Sequence, residues 1–436
     1  MPCSFPCRPG AAAPCRPTVA FRRLLAALVA VAALAAPAFA DAAPEDPRDR
    51  QIRELRQMVE GLLHQAPPAA SPAATADAGS EEPVDPGPEP PPPAPVQAQA
   101  SASGTGSQPA MNPNISVVAL PGGQSGGRPD DPQKNSFFLE EVEVAIQAPV
   151  DPNARLDAYV TFPRDEAPEI EEAFATALNL PGGLQARAGL FRNEFGRINP
   201  LHTHALPQID RPLPVEQFLG GEGLRSPGAE VSWLAPLPWY SKATVQVTSR
   251  YTEPVEGEFA LFPSTGLRKP LWIGRWENMA DLGEDTTLML GLSGATSEIR
   301  DGTLRNARLA GADLTLKWSP LDDPNTNLVW QSEYLAGRQA FEDPTLEADD
   351  FNGWYSYLNY RFNRNWRAGV RYDEADLPGL PGLRQRRGTA LLEFISSEWN
   401  TLRLQFSRYN PNFDQPYNEF RLQWNLVIGP HGAHKY

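Results

Sequence analysis

From residue 112 onward the chain is divided into short segments in which apolar and polar residues alternate, and this alternation restricts the fold more than any other feature. In the last segment Leu422 and Trp424 share one face while Arg421 and Gln423 share the other. A period of two is that of a β-strand with two different faces. Each segment is close to the length that crosses a bilayer when tilted. The predicted strands are 113–120, 138–148, 154–162, 169–180, 184–192, 229–234, 239–252, 271–281, 286–297, 306–318, 327–337, 351–362, 366–373, 385–395, 399–410 and 417–428.

The sequence therefore predicts about sixteen strands. The connections between them alternate in length: tight turns such as PVDPN, APLP and NRN are followed by longer polar loops such as EPVEGEFALFPSTGLRKP. Turns at one end and loops at the other are typical of an antiparallel transmembrane β-barrel in a bacterial outer membrane. A soluble β-sandwich also alternates. The aromatic residues near the predicted strand ends, among them Trp239, Trp318, Trp366 and Trp399, resemble the girdles of a membrane barrel and favour that all-β fold.

The N-terminal quarter of the sequence predicts three further segments before the barrel of residues 112–436. In residues 1–40 two arginines are followed by an apolar run and an Ala-x-Ala site, and this order predicts a signal peptide. Residues 41–66 place Ile52, Leu55, Val59 and Leu62 at a and d spacing, which predicts a short periplasmic coiled coil, with a solitary amphipathic helix as the alternative. Residues 67–111 are rich in proline and alanine and predict a disordered linker.

The sequence lacks the residues that several kinds of catalytic or metal site require. All three cysteines precede residue 40, so the exported chain has no thiolate ligand, disulfide or cysteine nucleophile. No phosphate-binding glycine loop stands out, and neither His202 nor His204 has an obvious Ser and Asp set on adjoining strand ends. We therefore expect no enzymatic activity, no cofactor and no nucleic-acid partner.

The third long loop, residues 193–228, is too long and too charged for an ordinary turn. Its phrase AGLFRNEFGRINP, leading through IDRPL to GLRSPGAEVSW, resembles the matching region of the phosphate-selective porin O/P family. The resemblance implies a homotrimeric, sixteen-stranded diffusion channel of the Gram-negative cell outer membrane whose third external loop folds into the lumen. Its partners would then be outer-membrane lipid and lipopolysaccharide, the barrel assembly machinery and small solutes.

The pore-lining charges follow from this placement. The candidate constriction residues are Arg192, Glu194, Arg197, His202, His204, Asp210, Arg211 and Glu216. Strand parity places a set of arginines on the lumen wall: Arg155, Arg187, Arg361, Arg367, Arg371, Arg387, Arg403 and Arg421. These arginines either face the acidic loop and create a transverse field, or pair with wall acids such as Asp157, Glu230, Glu393 and Glu419. The chain has 53 acidic against 38 basic residues, which argues against a dedicated anion pore.

The His-x-His of His202 and His204, with Glu194 and Asp210 nearby in sequence, is a weak candidate for a divalent metal site. It supports an alternative function, an outer-membrane receptor for a specific substrate such as a metal ion, of the TonB-dependent kind. A further alternative is a periplasmic tether anchored by the barrel.

Overall fold

The computed structural model describes residues 113–128, 131, 134–164, 166–249, 261–262, 266–299, 304–343, 345 and 347–430. The predicted signal peptide, coiled coil and linker lie outside these ranges, as does the tail from residue 431. Among the described residues, no helix is both long enough and apolar enough to cross a membrane.

The described chain forms one closed antiparallel barrel in which every strand pairs with its sequence neighbours and the first strand pairs with the last. The predicted sixteen-stranded fold is therefore confirmed. The strands are β1 Asn114–Gly126, β2 Ser136–Asp151, β3 Ala154–Pro163, β4 Glu169–Ala177, β5 Leu184–Arg192, β6 Arg225–Leu234, β7 Tyr240–Thr248, β8 Leu271–Asp281, β9 Thr286–Glu298, β10 Leu304–Trp318, β11 Asn327–Phe341, β12 Asp349–Arg361, β13 Trp366–Asp376, β14 Arg384–Ser397, β15 Asn400–Tyr409 and β16 Tyr417–Ile428.

The connections at the two ends of the barrel differ in length less regularly than the sequence predicts. One end carries short connections throughout, for example 152–153 and 398–399. The other end carries two long connections, 193–224 and 249–270, together with connections as short as 164–168 and 299–303. Strand extension explains part of this difference, because β10 and β11 reach further into the predicted loops, where their backbones continue to pair.

The two faces of the barrel wall have opposite chemistry. Outward-facing Trp276 and Leu292 are 52% and 55% exposed, whereas inward-facing Glu143 and Asp373 are 0% exposed. A protein surrounded by water normally shows the reverse arrangement. An apolar outer band with polar groups inside suits a barrel surrounded by hydrocarbon.

The interior of the barrel contains an apolar cluster as well as polar groups. Phe195, Leu213 and Phe218 from the connection between β5 and β6 pack in it with wall residues such as Leu335 and Phe351. The interior is therefore partly filled by protein that does not belong to the wall.

Candidate functional site

The candidate site is the connection 193–224, which we call the inner loop. It contains a 3-10 turn, Thr203–Ala205, and one short helix, α1 Leu213–Leu219. The predicted loop ended at residue 228, but β6 begins at Arg225. Residues 225–228 pair with residues 189–192 at the end of β5. Arg192 likewise belongs to β5 and not to the loop.

The inner loop lies across the barrel interior at mid-strand height. The Gly196 N–H donates to Ser293 Oγ of β9 at 3.0 Å. The Ile209 N–H donates to Gln405 Oε1 of β15 at 3.0 Å, and Asn425 Nδ2 of β16 donates to the His204 carbonyl at 3.0 Å. Strands β9 and β15 lie on different arcs of the wall, so the loop spans the space between them.

The base of the inner loop is closed by one buried amide. Asn199 Nδ2 donates to the carbonyls of Asn193 at 2.8 Å and Leu224 at 3.0 Å, and its Oδ1 accepts from the Leu224 N–H at 2.6 Å. Arg192 adds a second closure by donating to the Glu222 carbonyl. The loop therefore enters and leaves the wall through a single hydrogen-bonded neck.

Helix α1 attaches the later half of the inner loop to the wall. Pro214 stands in its first turn, where the missing N–H costs no helical hydrogen bond. Phe218 packs on Phe351 of β12 with ring centroids 4.9 Å apart. Gly353 of β12 leaves the space that this approach needs, because a Cβ there would lie 3.0 Å from Pro214 Cγ.

On the same side, Asp210 forms a buried ion-pair network with the wall. Its oxygens accept from Arg371 Nη2 at 2.7 Å and Arg387 Nη1 at 2.9 Å. Asp373 accepts from the Nε atoms of the same two arginines at 2.5 and 2.9 Å. Burial opposes ionisation of Asp210, but Arg371 and Arg387 hold its pKa below its usual range. We call these four residues the arginine anchor.

On the opposite side, His202 lies among carboxylates of β2 and β4. Its Nδ1 is 2.9 Å from Glu143 and 3.2 Å from Glu171, and its Nε2 is 2.8 Å from Glu172. His204 Nδ1 lies 3.5 Å from the same Glu143 oxygen. Burial favours the neutral ring of His202, but Glu171 and its neighbours raise its pKa well above the usual value. We call Glu141, Glu143, Glu171 and Glu172 the carboxylate cluster.

The other predicted loop residues are dispersed. Glu194 accepts from Arg187 at 3.4 Å, and Glu216 lies 3.7 Å from Arg387 with its side chain 40% exposed. Arg211 donates to backbone carbonyls, and burial lowers its pKa to about 9. Arg197 is half-buried and makes no ion pair among the residues that the structure describes.

Most of the predicted wall arginines pair with wall acids, the second of the two alternatives. Arg371 and Arg387 face an acid of the inner loop, and Arg187 divides its contacts between loop and wall. Arg361 does neither, because it donates to the carbonyls of the short turn that follows β12. The wall pairs are Arg155 with Asp157, Arg187 with Glu230, Arg367 and Arg403 with Glu393, and Arg421 with Glu419.

Sequence reasoning placed Glu194 and Asp210 beside the histidines, whereas the structure places both against wall arginines. It missed Glu143, Glu171 and Glu172, which contact His202 instead. The inward parity of Glu143 was readable from the alternation in β2. Its proximity to the loop was not, because that contact joins residues far apart in sequence.

No protein-family model matches the chain. A protein of Aquifex aeolicus (strain VF5), described as uncharacterized, is 31% identical over 357 residues, which cover 74% of this chain and 75% of that protein. The chain belongs to the family of that protein.

Two solved structures share the barrel. Pseudomonas putida OprB, solved at high pH, has a TM-score of 0.53 at 10% identity and covers 73% of this chain and 94% of its own. The outer membrane channel DcaP of Acinetobacter baumannii has a TM-score of 0.51 at 13% identity and covers 75% of this chain and 100% of its own. These likenesses show a porin-type fold, and they do not single out the phosphate-selective porin O/P family.

Proposed function

We propose that the protein is an outer-membrane porin that passes small hydrophilic or charged solutes by passive diffusion, with the inner loop narrowing its lumen. The observation that carries the proposal is the path of the inner loop, which crosses the interior at mid-strand height and is bonded to several strands. A sixteen-stranded barrel is wide enough to hold water, so a loop across it determines the width and the field of the passage.

The surfaces of the barrel support the same function. The exposed apolar side chains of the outer face suit the hydrocarbon core of an outer membrane. The loop and wall line a cavity of about 200 Å³ that includes Asp210, Glu216, Arg387 and Arg421. Groups of both signs in such a cavity favour dipolar and charged solutes over apolar ones.

We do not extend the proposal to phosphate. The chain carries a net charge of −15. Most wall arginines are neutralised by wall acids at 2.5 to 2.9 Å, for example Arg367 and Arg403 by Glu393. A passage selective for phosphate needs cationic groups that remain available to the solute.

The predicted assembly stays a proposal as well. A trimer held by the coiled coil of residues 41–66 and insertion by the barrel assembly machinery remain predictions, as do contacts with lipopolysaccharide and the absence of enzymatic activity. A TonB-dependent receptor is disfavoured, because such barrels need about twenty-two strands and a plug. The tether concerns residues outside the described ranges.

Single-channel recording in planar bilayers tests the function. We expect the purified protein to form stable open channels, and we expect deletion of residues 202–214 to enlarge their conductance, because it removes the part of the inner loop that reaches the far wall. Shortening the outer loop 410–416 is the matched control and should leave the conductance unchanged. A parent without channels would overturn the porin function, and equal conductance of deletion and parent would remove the inner loop from the passage.

A further inference from the structure

The carboxylate cluster and the two loop histidines bring metal-ligand atoms together inside the barrel. Glu143, Glu171 and His202 form one group whose ligand atoms all lie within 4.8 Å of one another, and Glu141, Glu143 and His204 form a second. Glu143 belongs to both groups. Imidazole and carboxylate are the donors that zinc and related divalent cations accept.

The distances between these donors suit one small cation. A tetrahedral zinc ion with bonds of about 2.0–2.2 Å holds its ligand atoms roughly 3.3–3.6 Å apart. His202 Nδ1 lies 2.9 Å from Glu143 and 3.2 Å from Glu171, and His204 Nδ1 lies 3.5 Å from Glu143. Around His202, Glu143 and Glu171, a displacement of a few tenths of an ångström would therefore open the coordination geometry.

The second ring nitrogen of His202 is already positioned for this role. His202 Nε2 lies 2.8 Å from Glu172, whose other oxygen accepts from the Arg192 N–H at 2.6 Å. A histidine that binds a metal through one nitrogen usually donates its other N–H to a carboxylate, which fixes the tautomer and orients the ring. Glu172 occupies that supporting position.

Glu141 supplies an independent indication of a missing partner. It is 7% exposed, and its Oε1 has no hydrogen-bond partner among the described residues. A buried carboxylate oxygen without a partner is costly and is rarely retained in a native protein. Because Glu141 shares a ligand group with Glu143 and His204, a cation between them would satisfy it.

The charge balance of this region leads to the same cation. Glu141, Glu143, Glu171 and Glu172 are all buried carboxylates. The neighbouring guanidinium groups are those of Arg192, which binds Glu171, and Arg211, which binds backbone carbonyls. With neutral imidazoles, the four carboxyl groups outnumber these two guanidinium groups, and one divalent cation would supply counter-charge.

We propose that His202, Glu143 and Glu171 bind one divalent cation of the zinc class, with His204 and Glu141 beside it at Glu143, and that this ion fastens the inner loop to β2 and β4. The site is structural and does not depend on the protein being a porin, since neither its ligands nor its test involves transport.

The test measures zinc bound to the full-length, untagged protein, stripped with chelator and equilibrated with Zn²⁺ alone. The parent for this test carries His64→Ala, His431→Ala and His434→Ala, so that the remaining histidines are His202 and His204. We expect about one equivalent of zinc, and X-ray absorption should show nitrogen and oxygen ligands. Glu143→Gln should bind at least about tenfold more weakly, since loss of even a supporting group costs that much.

Two further variants distinguish loss of the site from loss of the fold. His202→Asn with His204→Asn removes the loop ligand and its neighbouring imidazole and leaves the wall intact, and it should also lose the zinc. Glu393→Gln alters a buried wall carboxylate paired with Arg367 and Arg403 and should keep the zinc. The change in electrophoretic mobility between unheated and heated samples reports whether each barrel is folded. Undiminished zinc in Glu143→Gln and the double variant, or no zinc in the folded parent, would overturn the site.

Discussion

The two sides on which the inner loop meets the wall differ in how completely their charges are balanced. In the arginine anchor, Asp210 and Asp373 face Arg371 and Arg387; the side chain of Asp210 is 9% exposed, the other three are buried, and each acid is bonded to both arginines. On the other side, the four acids of the carboxylate cluster outnumber the neighbouring guanidinium groups of Arg192 and Arg211. A buried pair is stable only when its charges are mutually satisfied.

The comparison teaches that one loop can be fastened by two different electrostatic strategies. The arginine anchor is complete within the described residues, so it needs nothing from solution. The carboxylate cluster has surplus acid and one oxygen of Glu141 without a hydrogen-bond partner. The divalent cation proposed above would complete it.

The largest effect is expected from Asp210→Asn. The substitution removes one of the two acids that balance Arg371 and Arg387, and breaking a buried pair typically costs about 3–5 kcal/mol. Hydrogen exchange measured by mass spectrometry should show lost protection in residues 207–213. Asp350→Asn is the control, because its partner Arg338 is 60% exposed and such surface pairs contribute about 0–1 kcal/mol.

The pH dependence of the anchor follows from the same pair. The pKa of Asp210 is lowered in the folded protein, so its contribution to stability is present above the ordinary pKa of aspartate. It is lost only as the pH falls through the lowered value. Protection of residues 207–213 should therefore persist from pH 7 to about pH 4.5, and loss within that range would contradict the assignment.

An intermediate effect is expected from Gly196→Ala. Gly196 lies in the inner loop before both His202 and Asp210. Gly196 has a φ of 63°, and a Cβ there would lie 1.8 Å from Glu333 Oε1. The side chain of Glu333 is held by Tyr355 at 2.8 Å, so the loop must move. We expect roughly 1–3 kcal/mol of destabilisation, seen as faster exchange across both halves of the inner loop.

Gly182→Ala separates backbone strain from crowding in that experiment. Gly182 has a φ of 74°, but nothing lies within 4 Å of the position of its Cβ. If both variants lose protection equally around their own sites, the crowding against Glu333 contributes nothing. That result would remove Gly196 as a packing constraint on the loop.

The smallest effect is expected from Glu172→Gln, the same carboxylate-to-amide change on the side with surplus acid. The new amide keeps an oxygen for the Arg192 N–H, gives up the oxygen that faces His202 Nε2, and removes one negative charge from the cluster. We expect less than about 1 kcal/mol, read from the exchange of residues 200–206. Glu230→Gln, whose carboxylate accepts from Arg187 and Gln246, should cost more. A cost for Glu172→Gln equal to that of Asp210→Asn would refute the difference in charge balance.

Much of the fold was predictable because alternation is a local signal. The predicted bounds of β5, β8 and β16 coincide with those observed, since turn residues flank strands whose faces differ in polarity. Boundaries failed where pairing continued without alternation, as in β11, which extends to Phe341. The inner loop was recognised by its length and charge, but its end was displaced by the pairing of Arg225 with Arg192.

The sequence alone determined the barrel, the inward parity of its acids and arginines and the loop that had to be accommodated, because each depends on residues close together in the chain. Only the tertiary structure decided that Asp210 meets Arg371 and Arg387 while His202 meets Glu143, Glu171 and Glu172. Those contacts depend on where a closed barrel places β2, β4, β13 and β14 around the loop. That placement is a property of the closed sheet, and no local pattern encodes it.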